Sequence, residues 1–137
     1  MNKPYKVLVV EDDLTLKEII TDYLNMDHEH FNVRSCSDGL SAINLIEHFF
    51  PDVIIVDVIL PEMDGFSFLE KLEQLYPSYI PIIIAISSFK DIEIIKKIKE
   101  RGADYFLAKP FKLNDLNLII KNQVKKRKRI ISSIHPK

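Results

Sequence analysis

Apolar positions along this chain fall into two rhythms. Short runs of near-continuous Val, Ile and Leu alternate with longer segments in which apolar residues recur every three or four positions. The runs are "YKVLVV" (5–10), "FNVRSC" (31–36), "DVIIVD" (52–57), "PIIIAIS" (81–87) and "DYFLA" (104–108). Three of them lack the polar alternation of a half-exposed strand, which predicts strands covered on both faces. Between and after them, helical spacing predicts helices over 14–27, 39–49, 66–76, 90–101 and 113–127. Leu16, Ile19, Ile20, Tyr23 and Leu24 form one apolar face of the first, and Leu116, Ile119, Ile120 and Val124 one face of the last. Punctuation agrees: Asp38-Gly39 and Asp64-Gly65 read as turns, Pro51 and Pro77 close helices, and Gly102 ends the fourth.

Five strand–helix units in strict alternation imply a doubly wound, five-stranded parallel sheet with helices on both faces. A length of 137 residues fits one domain. With 47% hydrophobic and 28% charged residues the composition is that of an ordinary globular protein. No apolar stretch is long enough to span a membrane, and the N-terminus lacks the pattern of a signal peptide. The lone cysteine, Cys36, excludes an internal disulfide and reads as a buried, inert thiol, so a cytoplasmic setting is expected.

Charge changes the picture at one end only. Six of the nineteen basic residues lie after residue 124, and all twenty acids lie before it. Thirteen bases against twenty acids leave residues 1–124 at −7, and the tail at +6. Residues 1–124 are therefore expected to form the globular domain, and 125–137 a basic tail, a helix end or a linker. The globular part should repel nucleic acid, so direct DNA binding is not expected, although "KKRKR" (125–129) alone could attract it.

In an open α/β sheet, ligands bind beyond the carboxyl ends of the strands, near the point where strand order reverses. Strand one is followed by Glu11-Asp12-Asp13, strand three ends in Asp57, strand four in Ser87-Ser88, and strand five in Ala108-Lys109-Pro110. Glu11, Asp12 and Asp57 crowded together would repel, raising a pKa or demanding a cation. Oxygen ligands of this kind suit Mg²⁺ better than zinc. A lysine ammonium and a serine hydroxyl could each hold a phosphate oxygen. The set has the parts needed to transfer a phosphoryl group onto an Asp57 carboxylate that is expected to meet solvent where its strand leaves the sheet. Asp13 reads as a helix cap beside the acidic pair.

On these residues the chain resembles the receiver domains of two-component response regulators. The resemblance covers residues 5 to 124 and rests on "VLVVEDD", "DVIIVDVILPEMDG", "IIIAISS" and "GADYFLAKPF", in that order. It implies the flavodoxin-like strand order 2-1-3-4-5. It implies that Asp57 accepts phosphate from a phosphohistidine of a sensor histidine kinase or a histidine phosphotransfer protein. Glu11, Asp12, Asp57 and the backbone carbonyl of Ile59 would hold Mg²⁺. Ser87 would follow the phosphoryl group, Lys109 would contact it, and the Lys109-Pro110 bond would be cis. Phe106 stands at the family's switch position, where tyrosine is frequent, and lacks a phenolic hydroxyl for a partner. A surface over residues 88–124 is where an effector or a second copy would dock. Ser88 stands where alanine is usual, and the bulky Phe89 implies slower water access and a longer-lived phosphoryl group.

Other readings leave weaker traces. An aspartyl-phosphate phosphohydrolase, a turnover enzyme, needs an acid two residues after its nucleophile, where this chain has Ile59. A flavodoxin-like cofactor module needs a phosphate loop that Glu11-Asp12-Asp13 would repel. A receiver-like docking module that ignores phosphate is a third possibility. His28 and His30 suggest a metal pair but have no third ligand and read as a polar loop, while His48 and His135 carry no signal.

Overall fold

A computed structural model of the chain describes residues 3–134. His135 and Lys137, both in the tail discussed above, lie outside the described residues. Strands and helices alternate as expected: β1 (Tyr5–Val10), α1 (Leu14–Asn25), β2 (Phe31–Cys36), α2 (Gly39–Phe49), β3 (Val53–Asp57), α3 (Gly65–Leu75), β4 (Ile82–Ser87), α4 (Ile92–Glu100), β5 (Tyr105–Ala108) and α5 (Leu113–Ile134). All neighbouring strands pair in parallel, in the order β2-β1-β3-β4-β5.

Successive strand side chains point to opposite faces, so each strand feeds two cores. Leu8, Val10, Ile54, Val56, Ile83 and Ala85 join Ala42, Ile46, Phe68, Leu72 and Ile98 under α2, α3 and α4. Val7, Val9, Val53, Ile55, Ile82, Ile84 and Ile86 join Ile20, Leu24, Leu116, Ile120 and Val124 under α1 and α5. This is why the strands read as continuous apolar runs: neither face meets water. Each Val, Leu, Ile or Phe among them contributes about 1.5–3 kcal/mol of burial.

Three local readings change in the folded chain. Asp38 and Asp64 do not open free turns. Each caps a helix, accepting from Ser41 N at 2.7 Å and Ser67 N at 2.8 Å, and the following glycine is the first helical residue. Asp13 does the same for α1, accepting from Leu16 N at 3.2 Å, as its position suggested. The largest difference is α5, which continues unbroken to Ile134, past the expected end at 127. The basic run is good helix-forming sequence, and nothing in it stops the helix.

Left-handed backbone occurs at Gly102 (φ 108°), just after α4, and at two non-glycine residues, Phe50 (φ 44°) and Glu62 (φ 64°). Phe50 ends α2 by donating its N–H to Ile46 O at 2.8 Å, before Pro51 turns the chain away. Its ring packs edge-to-face on Tyr76 and Tyr79, contacts that offset the roughly 1–2 kcal/mol cost of that conformation.

Candidate functional site

Strand order reverses between β1 and β3: from β1 the chain moves out to β2, and from β3 it moves the other way, to β4 and β5. Register decides what meets there. Val10 lies opposite Val56, so Glu11 and Asp57 leave the sheet side by side. Asp57 lies opposite Ile86, which brings Ser87 next to it, and Ser87 lies opposite Ala108, which delivers Lys109. Four residues separated by up to 98 positions thus converge because each is the last strand residue or the one after it.

Lys109 Nζ lies 2.5 Å from Asp57 Oδ2 and 2.6 Å from Glu11 Oε1. The approach to Asp57 is a hydrogen bond. The approach to Glu11 has the distance of an ion pair but leaves Oε1 without an aligned hydrogen bond, an orphaned acceptor on a fully buried side chain. Ile59 N donates to Asp57 Oδ1 at 2.9 Å, and Asp13 N to Glu11 Oε2 at 3.2 Å. The Ser87 hydroxyl is wholly buried and accepts from Phe89 N at 3.0 Å. The Lys109-Pro110 bond is cis.

One expectation needs correction. The reaction scheme above treats Asp57 as a carboxylate open to solvent, but it is only 5% exposed. The loop after β3 folds back over it through the Ile59 N–H, and the Lys109 ammonium compensates its charge. Of the three acids, only Asp12 is exposed. Burial pushes the Glu11 carboxyl up to about 7; Lys109 pulls against that rise and the Asp57 charge adds to it. Burial alone would lower the Lys109 pKa, yet Asp57 and Glu11 together hold it above the ordinary lysine value.

Carboxylate oxygens of Glu11, Asp12 and Asp57 lie within 4.8 Å of one another, the one such acid, cysteine or histidine group among the described residues. An all-oxygen donor set and three acids set against one lysine suit a hard divalent cation such as Mg²⁺. His28 and His30 are outside any such group: His30 Nδ1 pairs with Asp27 at 2.7 Å, and Asp27 also meets Lys121 at 3.3 Å. Together the two partners lower the Asp27 pKa.

Phe106 lies opposite Ala85 and packs, half-buried, against the core under α2, α3 and α4. Two supporting residues escaped the sequence reading. A Cβ on Gly65 would sit 2.8 Å from Asp57 O and Val58 Cα, so only glycine lets α3 start this close to the end of β3. Glu62, in the loop between them, adopts its left-handed conformation without being Gly or Asn, and no sequence pattern flags it.

Comparison with known proteins agrees with this geometry. The family model described as "Response regulator receiver domain" matches residues 7–121. A cyclic di-GMP phosphodiesterase of Thermotoga maritima is 37% identical over 88% of this chain and 31% of its own length. A second curated relative, from Priestia megaterium, is 29% identical over 80% of this chain and 47% of its length. The chain therefore spans less than half of either relative. The receiver domain of Francisella response regulator 1452 superposes with a TM-score of 0.81, at 27% identity, over 90% of this chain and 98% of that one. A response regulator receiver domain protein from Methanospirillum hungatei shares the fold, with a TM-score of 0.81 at 23% identity over 92% and 98% of the two chains. With this match, this topology and these acids at the strand ends, the chain belongs to the response regulator receiver domain family.

Proposed function

We propose that this chain is a phosphorelay switch in which Asp57 takes a phosphoryl group from a phosphohistidine of a sensor histidine kinase or histidine phosphotransfer protein. The observation that carries the reading is Lys109 Nζ held between two buried carboxylates at the sheet's switch point. An Asp57 carboxylate oxygen attacks phosphorus in line; the donor's N–P bond breaks, an acyl phosphate forms, and the imidazole leaves with the electron pair. Lys109 exchanges its carboxylate contact for a phosphoryl oxygen, and the Ser87 hydroxyl donates to another. Glu11, Asp12, Asp57 and the Ile59 carbonyl would hold Mg²⁺, which supplies neutralising charge for the phosphoryl oxygens.

Once Ser87 is drawn to the phosphoryl group, Phe106 turns inward beside it and shifts the surface over residues 88–124. That surface carries exposed Phe89, Ile92, Tyr105 and Leu118, which suits it to an effector or a second copy. Phe89, beside Ser87 and half exposed, lengthens the phosphoryl lifetime by obstructing water, so Phe89→Ala should shorten it. Membership of the receiver-domain family suits a cytoplasmic role; no described helix is long and apolar enough to cross a membrane. Position 59 offers an isoleucine and no general acid, so the site is that of a phosphoacceptor and not of a phosphohydrolase. The activity named for the Thermotoga relative is not carried over to this chain, which matches under a third of that protein.

The test is intact mass after incubation with a small phosphodonor and Mg²⁺. One phosphoryl group should add to the wild type and none to Asp57→Asn. No addition to the wild type, or undiminished addition to the variant, overturns the reading.

A further inference from the structure

We propose that Arg127 is a positioning residue for β5, so that residues 125–134 work as part of the switching domain and not as a linker. The inference rests on the phosphoacceptor reading above only for its functional consequence; the geometry stands without it.

The "KKRKR" run is not uniform in the fold. Ile120 and Val124 face the core, and Arg127 and Ile131 continue the same helical stripe. Arg127 Nη1 donates to Ile80 O at 2.7 Å, and Nη2 lies 3.7 Å from Asp104 Oδ2. Lys128 Nζ sits 5.3 Å over the Tyr5 ring. Ile131 helps line a cavity of about 350 Å³ with Tyr5, Phe50, Tyr79 and Ile80. Strand starts in β1, β4 and β5 are thus all touched by one helical turn lying past residue 124.

Asp104 is the junction. Its N–H donates to Ile83 O at 2.8 Å, and its carboxylate accepts from Ile83 N at 2.8 Å, so it fixes where β5 begins against β4. β5 has four residues, a single neighbouring strand, and partly exposed side chains throughout. Short edge strands with few buried contacts open most readily. This strand carries Phe106 and hands the chain to Lys109, so the anchor at its start bears on the site at its end. The Arg127 guanidinium approaches the same Oδ2 that accepts from Ile83 N, so its charge helps keep that oxygen at the start of β5. Arg127 is partly buried, its side chain 28% exposed, so the pair keeps more strength than an open surface bridge.

Amide hydrogen exchange, followed by mass spectrometry on the whole chain, tests this in two arms. Without phosphate, Arg127→Ala should speed exchange across 105–108 by about 5-fold or more, in the usual range of coupling between sites. Amides of β1 should be unchanged, which excludes global unfolding, and Lys126→Ala, altering an exposed neighbour in the same run, should be silent. Unchanged exchange over 105–108 in Arg127→Ala overturns the proposal. In the second arm, a small phosphodonor and Mg²⁺ are added to the wild type. Because coupling is reciprocal, exchange over 125–134 should shift, and Arg127→Ala should lose the shift while still gaining the phosphoryl mass. Phosphorylation with no shift overturns the coupling. Absence of phosphorylation faults the phosphoacceptor reading and leaves the first arm to decide.

Discussion

Glu11→Gln should stabilise the metal-free protein above neutral pH even though it removes a proposed metal ligand. In the native fold the Glu11 carboxyl titrates at about 7, against 4.5 ordinarily, chiefly because it is buried. At about 1.4 kcal/mol per tenfold change in proton affinity, that displacement is worth roughly 3 kcal/mol. The sign follows from linkage: between pH 4.5 and 7 the native state holds a proton that the unfolded chain has released. Stability from this group therefore falls as pH rises through that window and levels off above it. Gln cannot titrate, and Lys109 keeps Asp57 as its partner, so the variant should lack this component. Urea denaturation in EDTA, from pH 5 to 8.5, measures it as the difference between the two proteins. The variant should gain up to about 3 kcal/mol on the wild type across the window. Adding Mg²⁺ at pH 8 should reverse the order, because only the wild type binds it well. A difference that stays flat from pH 5 to 8.5 would refute the assignment of a buried, proton-hungry Glu11.

Lys109→Met leaves Asp57 and Glu11 facing each other without a cation; urea denaturation at pH 8 should show a loss of about 3–5 kcal/mol, and an unchanged midpoint would count against the ion pair. Gly65→Ala forces a methyl against the backbone of Asp57 and Val58; a cost of about 1–3 kcal/mol, with weaker Mg²⁺ binding by calorimetry, is expected, and full retention of both would contradict the packing. The Cys36 thiol is pushed up to about 12 by burial; it should resist a thiol reagent at pH 8 until the protein is unfolded, and rapid labelling of the native state would show the site is open.

Much of the fold was legible because local and global preferences agree. Runs such as Ile54–Val56 and Ile82–Ile86 have no polar face, and only a sheet covered on both sides buries them fully. Element bounds shifted most where the signal was weakest. The end of α5 is the plainest case: "KKRKR" reads as solvated tail because charge patterns say nothing about what the helix lies against. The fold places Asp104 and the Ile80 carbonyl beneath Arg127 and the Tyr5 ring beneath Lys128, so two of the five similar cations are held.

The sequence by itself determined the chemistry: which acids, hydroxyl and lysine end the strands, and therefore which reaction they can support. It could do so because a strand end is a local property and its ligands are the next residues along. Only the tertiary structure decided the electrostatics. Strand register sets Glu11 beside Asp57 and brings Lys109 between them; the loop of Ile59 closes over Asp57, and Gly65 admits α3 against its backbone. Burial and pair distances are sums over residues far apart in the chain, and they turn an Asp57 that looked open to water into a buried carboxylate bridged to Glu11 by the Lys109 ammonium.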